Sequence, residues 1–353
     1  MSNHAVELSR VTKQFGVEVA VNDLELIVEP GEVLALVGPS GCGKTTTLRL
    51  IAGFERPEGG EIYLKDKLVS GEKIHLPPEK RGVGMVFQDY ALFPHLTVFE
   101  NVAFGLSGRN NKNLELDVMS LLSLVNLDHT ASRYPNELSG GQRQRVALAR
   151  ALAPKPVLVL FDEPFSNLDA DLRQQMREEV RVILKGIKAT AIFVTHDQEE
   201  ALYIGDKLAV MNKGRIEQVG SPEEIFHKPS TRFVAEFMGN TDFLPGTVTA
   251  DGIETEIGLI RQNVELPAGS HVEIALRADD ISFEPAGGAK SLILARHFKG
   301  AMNIYRLRLP SGRLLHAYEG HGKIYKPGTP VKITANPGHS LAYFIQDKTT
   351  PTK

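Results

Sequence analysis

The chain has 353 residues, 42% hydrophobic and 24% charged, with a formal net charge of -3. That describes a globular protein with enough apolar material for more than one domain, and it argues against a strongly basic nucleic-acid binder. The single cysteine, Cys42, excludes an internal disulfide and suits a reducing compartment. No apolar stretch follows a basic start in residues 1–15, so no secretory signal is expected, and no uncharged apolar run approaches the roughly 20 residues that span a bilayer.

From residue 5 to about 239, strand-like and helix-like segments alternate. Residues 32–37 form a short apolar run ending at Gly-Pro, the pattern of a buried parallel strand. Residues 38–45 then read Gly-Pro-Ser-Gly-Cys-Gly-Lys-Thr, ahead of a predicted helix over 45–54 that carries Leu48, Ile51 and Ala52 on one face. A strand before and a helix after turn this motif into a phosphate loop. Its glycines let backbone N–H groups turn inward, and the helix start adds partial positive charge. Lys44 is expected to reach the β- and γ-phosphates of ATP and the Thr45 hydroxyl to ligate Mg²⁺. Gly38, Pro39, Ser40, Gly41, Cys42, Gly43 and Thr46 complete the expected nucleotide contacts. Cys42, near a helix N-terminus, is expected to favour the thiolate, so that its alkylation blocks ATP binding.

Residues 82–87, 157–161, 191–195 and 208–211 are further buried-strand candidates; separated by helical segments, they predict βαβ units around a parallel sheet. Between residues 99 and 153, Leu114, Val118, Leu121, Leu122 and Val125 recur at helical spacing and predict a helical insertion. Within it, Leu138-Ser139-Gly140-Gly141-Gln142 has two readings. One is a helix N-cap after a flexible turn. The other is a second anion site, useful to a chain that already has a phosphate loop only if it serves another molecule. Arg143, Arg145 and Arg150 read as the solvated or phosphate-facing side of the helix that follows. The strand at 157–161 ends in Asp162, placed to hold Mg²⁺, and the next residue, Glu163, can polarise a water for in-line attack on the γ-phosphate.

After residue 239 the texture changes. Short β-like runs at 243–249, 271–276, 291–297, 304–309, 314–318 and 331–334 are cut by Pro and Gly turns, with Ser311-Gly312 as a hairpin signal. A small β-barrel or sandwich is expected. The predicted organisation is an α/β domain over 1–239, with its helical subdomain at about 89–155, and an all-β domain over 240–353.

Residues 38–45, 138–142 and 157–163, in this order and spacing, resemble the nucleotide-binding subunit of ABC transporters, and the likeness extends over essentially the whole chain. The resemblance implies a P-loop NTPase core and two copies paired head to tail. ATP then lies between the phosphate loop of one copy and Ser139, Gly140, Gly141 and Gln142 of the other. It also implies that Phe15 stacks on adenine and that Gln88 contacts Mg²⁺ and the attacking water and links to the helical insertion. His196 would contact the γ-phosphate, and 166–169, ending at Asp169, would cross the dimer interface. Leu92 and Phe93 are the expected contacts for a helix of a membrane subunit, or alternatively an internal packing pair.

The C-terminal β region resembles the oligonucleotide-binding-like regulatory domain of importer subunits for maltose, spermidine, sulfate and ferric iron. Residues 161–169, with two phenylalanines, and 239–244 look most like the ferric-iron group. The implied role is therefore a peripheral ATPase at the cytoplasmic face of the membrane, working with permease subunits and, indirectly, a periplasmic solute-binding protein. Iron(III) is the expected solute, with polyamine, sugar, and sulfate or molybdate as alternatives. A soluble ABC ATPase acting on DNA or ribosomes would be expected to carry two cassettes or a long coiled coil, and a sensing module with vestigial hydrolysis would not keep Lys44, Asp162, Glu163 and His196 together.

Overall fold

The computed structural model describes residues 4–106 and 113–345, so residues 107–112 of the expected helical insertion lie outside the described residues. The chain divides into two compact units, Met1–Pro222 and Glu223–Lys353.

In the first unit, strands β1 (Val6–Phe15), β2 (Glu18–Val28), β4 (Gly59–Leu64) and β5 (Lys67–Ser70) form an antiparallel sheet in the order β2-β1-β4-β5. A second sheet runs β10 (Arg215–Gly220), β9 (Lys207–Asn212), β3 (Val33–Val37), β8 (Ala191–Thr195), β7 (Leu158–Asp162), β6 (Val83–Val86). Its strands are parallel except β10, which runs antiparallel at the edge. Every residue of β3 and β8 is buried, which is why both read as unbroken apolar runs instead of alternating ones. Phe161 and Phe193 stack at 4.0 Å across adjacent strands, with Phe165 continuing the stack at 6.2 Å.

The two sheets share one core with helix α1 (Lys44–Ala52), through residues such as Val6, Leu8, Leu34, Leu48, Ile51 and Ile192. Helices α2 (Val98–Phe104), α3 (Leu114–Leu124) and α4 (Gly140–Leu152) pack on one another as the expected helical insertion. Helices α5 (Ala170–Gly186) and α6 (Gln198–Ile204) connect β7 to β8 and β8 to β9.

The antiparallel sheet is the part of this unit that the sequence reading did not single out. Its strands do alternate, but β1 and β2 shift register between Leu8 and Val11, and Arg10 and Asp23 at that irregularity have left-handed φ values of 49° and 51°. Such a bulge breaks the period-2 pattern from which a strand is read.

The second unit opens with two short helices, α7 (Pro222–His227) and α8 (Arg232–Phe237). Two five-stranded sheets follow. One, in the order β13-β12-β11-β14-β20, comprises β11 (Thr241–Thr249), β12 (Gly252–Thr255), β13 (Gly258–Ile260), β14 (His271–Arg277) and β20 (Tyr343–Ile345). The other, β15-β19-β16-β17-β18, comprises β15 (Ile281–Pro285), β16 (Ser291–Phe298), β17 (Met302–Arg308), β18 (Leu314–Gly320) and β19 (Pro330–Ala335). They enclose one apolar core that includes Leu244, Ile274, Leu276, Tyr305 and Leu315. The expected hairpin is the β17–β18 turn, with Gly312 at φ 87°. The compact units part after Pro222, ahead of the change in texture at residue 239. A physical tie explains it: Arg277 of β14 lies 3.5 Å over the Phe226 ring and donates to the Phe226 carbonyl, fastening α7 to the sheet.

One buried cation holds the far end of the phosphate-loop helix. Arg81, 4% exposed, donates through Nη1 to the carbonyls of Leu50 (2.8 Å) and Ile51 (3.0 Å), and through Nε to that of Leu76 (2.7 Å). The Leu50 and Ile51 carbonyls lie in the last turn of α1 and have no partner within the helix. Burial pulls the Arg81 pKa down to about 10. Arg81→Met should therefore lower the unfolding free energy by about 2–4 kcal/mol in denaturant titration, since two buried acceptors and one part-buried one lose a charged donor.

Candidate active site

The loop between β3 and α1 is shaped by close approach. A Cβ on Gly38 would stand 2.1 Å from the Met211 carbonyl oxygen, and one on Gly43 2.2 Å from that of Ala20, with Gly43 at φ 107°. Only glycine fits at either point. Gly43 is the N-cap of α1 and supplies no side-chain acceptor, so the first N–H groups of the helix are not capped by a side chain. Lys44, 5% exposed, folds back so that Nζ donates to the carbonyls of Gly38 (2.8 Å) and Pro39 (3.0 Å). Ser40 and Gly41 are exposed at the tip, while Pro39, Thr45 and Thr46 are half-buried.

Cys42 corrects the sequence reading. It is 4% exposed, and burial pushes its thiol up against the opposing pull of Lys44. The helix start does not favour the thiolate here, because the sulfur points into the core and not toward the loop's open face.

The strand ends bring the acidic residues to this loop. The Thr45 hydroxyl donates to Asp162 Oδ1 at 3.1 Å. Burial pushes the Asp162 carboxyl up from its ordinary range, partly offset by that hydrogen bond. Glu163 has a left-handed φ of 45°, an uncommon state for a non-glycine residue that the surroundings enforce. Its N–H donates to the Val194 carbonyl (3.0 Å), and its own carbonyl accepts from the amide (3.3 Å) and hydroxyl (2.9 Å) of Ser166. Its carboxylate Oε2 lies 3.1 Å from Nδ1 of His196, which is largely exposed. Asn167 Nδ2 donates to the Gln88 carbonyl (2.8 Å), so this turn also touches the segment after β6; Gln88 itself is exposed. Asp169 caps α5 by accepting from the Leu172 amide at 2.9 Å. Phe15, at the end of β1, is 47% exposed, with Lys13 Nζ 4.9 Å from its ring centre.

Ser139 is the N-cap of α4. Its hydroxyl accepts from the Gln142 amide (3.3 Å) and the Gln142 side chain accepts from the Ser139 amide (2.9 Å), a reciprocal capping box. Gly140 and Gly141 sit where a Cβ would press on Leu168 and on Leu172 and Met176, at 3.1 and 3.2 Å. The glycines thus let α4 approach α5 closely, which the sequence reading did not anticipate.

The arginines that follow are also corrected. Instead of facing solvent, Arg145 donates to Glu179 of α5 at 2.8 Å. Arg150 donates to the carbonyls of Tyr90 (2.9 Å) and Ala91 (2.7 Å) and lies 5.5 Å over Phe93. Arg143 turns back to the Leu138 carbonyl at 3.2 Å. Phe93 is half-buried and packs 4.6 Å from Phe104, which is itself 53% exposed. Sequence reasoning missed Asn101: fully buried, it bonds both the amide and the carbonyl of Phe93, at 2.9 and 3.1 Å. An Asn among the apolar residues of α2 was the available signal.

Comparison with known proteins follows the same lines. A family model described as ABC transporter matches residues 21–166, and one described as TOBE domain matches residues 274–342. A spermidine/putrescine import ATP-binding protein of Rubrobacter xylanophilus is 43% identical, over 96% of this chain and 93% of that protein. A trehalose/maltose import ATP-binding protein of Thermococcus litoralis is 51% identical over 70% of this chain and 68% of its own length. An Fe(3+) ions import ATP-binding protein of Pectobacterium atrosepticum is 44% identical over 80% of each. Among solved structures, a dimeric post-hydrolysis ATP-binding cassette with ADP and Pi superimposes with a TM-score of 0.53 at 31% identity, covering 62% of this chain and 98% of that one.

The buried thiol makes one prediction. Iodoacetamide should label Cys42 of the folded chain at least ~10-fold more slowly than that of the unfolded chain at the same pH, followed by mass spectrometry. Equal rates would restore the accessible thiolate.

Proposed function

The chain belongs to the ABC transporter family, and from that premise we propose that it is the ATP-hydrolysing subunit of an importer. The observation that carries this reading is the convergence of two contacts, Thr45 with Asp162 and Glu163 with His196, at the C-terminal ends of parallel strands. Ligands of open α/β sheets bind at such strand ends.

The division of labour follows from the chemistry of each group. Gly38 to Thr46 would cradle the phosphates, with Lys44 exchanging its loop carbonyls for β- and γ-phosphate oxygens. Thr45 and Asp162 present a hydroxyl and a carboxylate side by side, a donor set that suits Mg²⁺ completed by phosphate oxygens and water, with Gln88 as a further candidate ligand. Mg²⁺ would neutralise charge on the β- and γ-oxygens. Glu163 would take the proton of the attacking water, and His196, 3.1 Å from that carboxylate, would orient it and face the γ-phosphate. Phe15, exposed beside Lys13, would stack on adenine.

Ser139, Gly140, Gly141 and Gln142 would act on nucleotide held by a second copy, with Asp169 at the same interface. The dimeric cassette structure supports a pairing of two copies. No helix among the described residues is long and apolar enough to cross a membrane, so anchoring would come from permease subunits at the cytoplasmic face, supplied by a periplasmic solute-binding protein.

For the solute, the run 161–169 and the start of the β unit at 239–244 support iron(III), in line with the Fe(3+) importer relative. A polyamine is the second reading, supported by the relative that spans 96% of this chain. Adjacent genes for a periplasmic iron-binding protein and a multispan permease would favour the first, and those for a polyamine-binding protein would overturn it.

Glu163→Gln should retain ATP binding, accumulate a closed dimer on size-exclusion chromatography and cut turnover by ~100-fold or more, as loss of a general base does. Undiminished turnover would remove Glu163 from the role of base.

A further inference from the structure

Arg173, on the first turns of α5, joins two loops that flank the proposed site. Its Nη2 donates to the Leu168 carbonyl at 3.0 Å, one residue before Asp169. Its Nη1 lies 3.7 Å from Asp197 Oδ2, and its Nε 4.0 Å from Glu200 Oε1. Asp197 is the residue after the histidine, and Glu200 lies one turn further on, in α6. The Glu200 side chain, 4% exposed as a residue, accepts from the Thr195 hydroxyl at 2.6 Å, and that hydroxyl accepts from the Asp197 amide at 3.0 Å. Asp197 in turn accepts from the amides of Glu199 (2.9 Å) and Glu200 (3.2 Å), capping α6. His196 therefore sits on a bend whose residues on either side belong to one hydrogen-bonded network, and the Arg173 guanidinium faces that network at ion-pair distance, its buried Nε without a hydrogen-bond partner among the described residues.

We propose that Arg173 is a positioning residue, coupling the position of the 166–169 turn to the aim of His196 at Glu163. The inference rests on the site reading given above and names the part that transmits across it. The path runs from the Leu168 carbonyl through the guanidinium to Asp197 and Glu200, and from the 195–197 bend through His196 Nδ1 to Glu163 Oε2. The other end of the same turn is already fixed to Glu163 by Ser166 and to the Gln88 carbonyl by Asn167. A shift of the turn, such as a second copy pressing on Asp169 would cause, thus reaches the base from both sides. A planar fork suits this task because it can hydrogen-bond a carbonyl while its charge faces two carboxylates, whereas an ammonium is a single point charge.

The test uses the full chain. Arg173→Gln should lower kcat for ATP by ~10-fold while KM stays within about twofold, the pattern of an interaction realised after binding. Arg173→Lys should fall between, recovering the ion pairs but not the bond to Leu168. The double variant Asp169→Ala/Arg173→Gln should turn over no slower than the slower single variant, because both changes cut one path. Unchanged kcat, kcat and KM worsening together, Arg173→Lys equal to wild type, or losses that track the melting temperature or multiply in the double variant would each overturn the proposal. Glu163→Gln run alongside separates the two claims. If it abolishes turnover and Arg173→Gln does not affect kcat, the inference fails alone; if it turns over normally, the site reading fails.

Discussion

The arrangement depends above all on the parallel register of β8 with its two neighbours. Val37 pairs with Thr195 and Asp162 with Val194, so the phosphate loop, the acidic strand end and the histidine bend leave the sheet at one level. In a pleated sheet, a slip of one residue would send Asp162 to the opposite face and separate it from Thr45. The stacked rings of Phe161 and Phe193 resist such a slip, since their contact exists only in this alignment. Packing deep in the sheet thereby sets the chemistry at its edge.

Around that fixed level, the loops are held by a small number of arginines. Arg81 secures the rear of α1, Arg150 grips the segment after β6, and Arg145 joins α4 to α5. Each guanidinium serves main-chain carbonyls or a carboxylate. The helical insertion is thus joined to the core at discrete polar points as well as through apolar contact.

Much of this was legible in the sequence, for identifiable reasons. Strands β3, β7, β8 and β9 are buried on both faces and announce themselves as apolar runs, and the phosphate loop is specified by glycine sterics at Gly38 and Gly43. The antiparallel sheet was hidden because Arg10 and Asp23 interrupt its alternation. The roles of Arg145 and Arg150 were hidden because a charged residue on a helix carries no mark of a partner 34 or 59 residues away. Cys42 was misread because proximity in sequence to a helix start does not say which way a side chain points. The reciprocal cap of Ser139 and Gln142 was readable from spacing, while the need for glycine beside Leu168 and Leu172 emerges only when α5 is in place.

The way Lys44 is held has a consequence for exchange. Its amine has two carbonyl partners within its own loop, and they hold the long side chain in one place. Ordering a lysine costs up to about 2 kcal/mol of rotamer freedom, and here folding has met that cost in advance. On the proposed reading, a phosphate would replace one set of oxygen acceptors by another, and its departure would hand the ammonium back. The loop would act as its own placeholder, sparing both steps the cost of ordering that side chain.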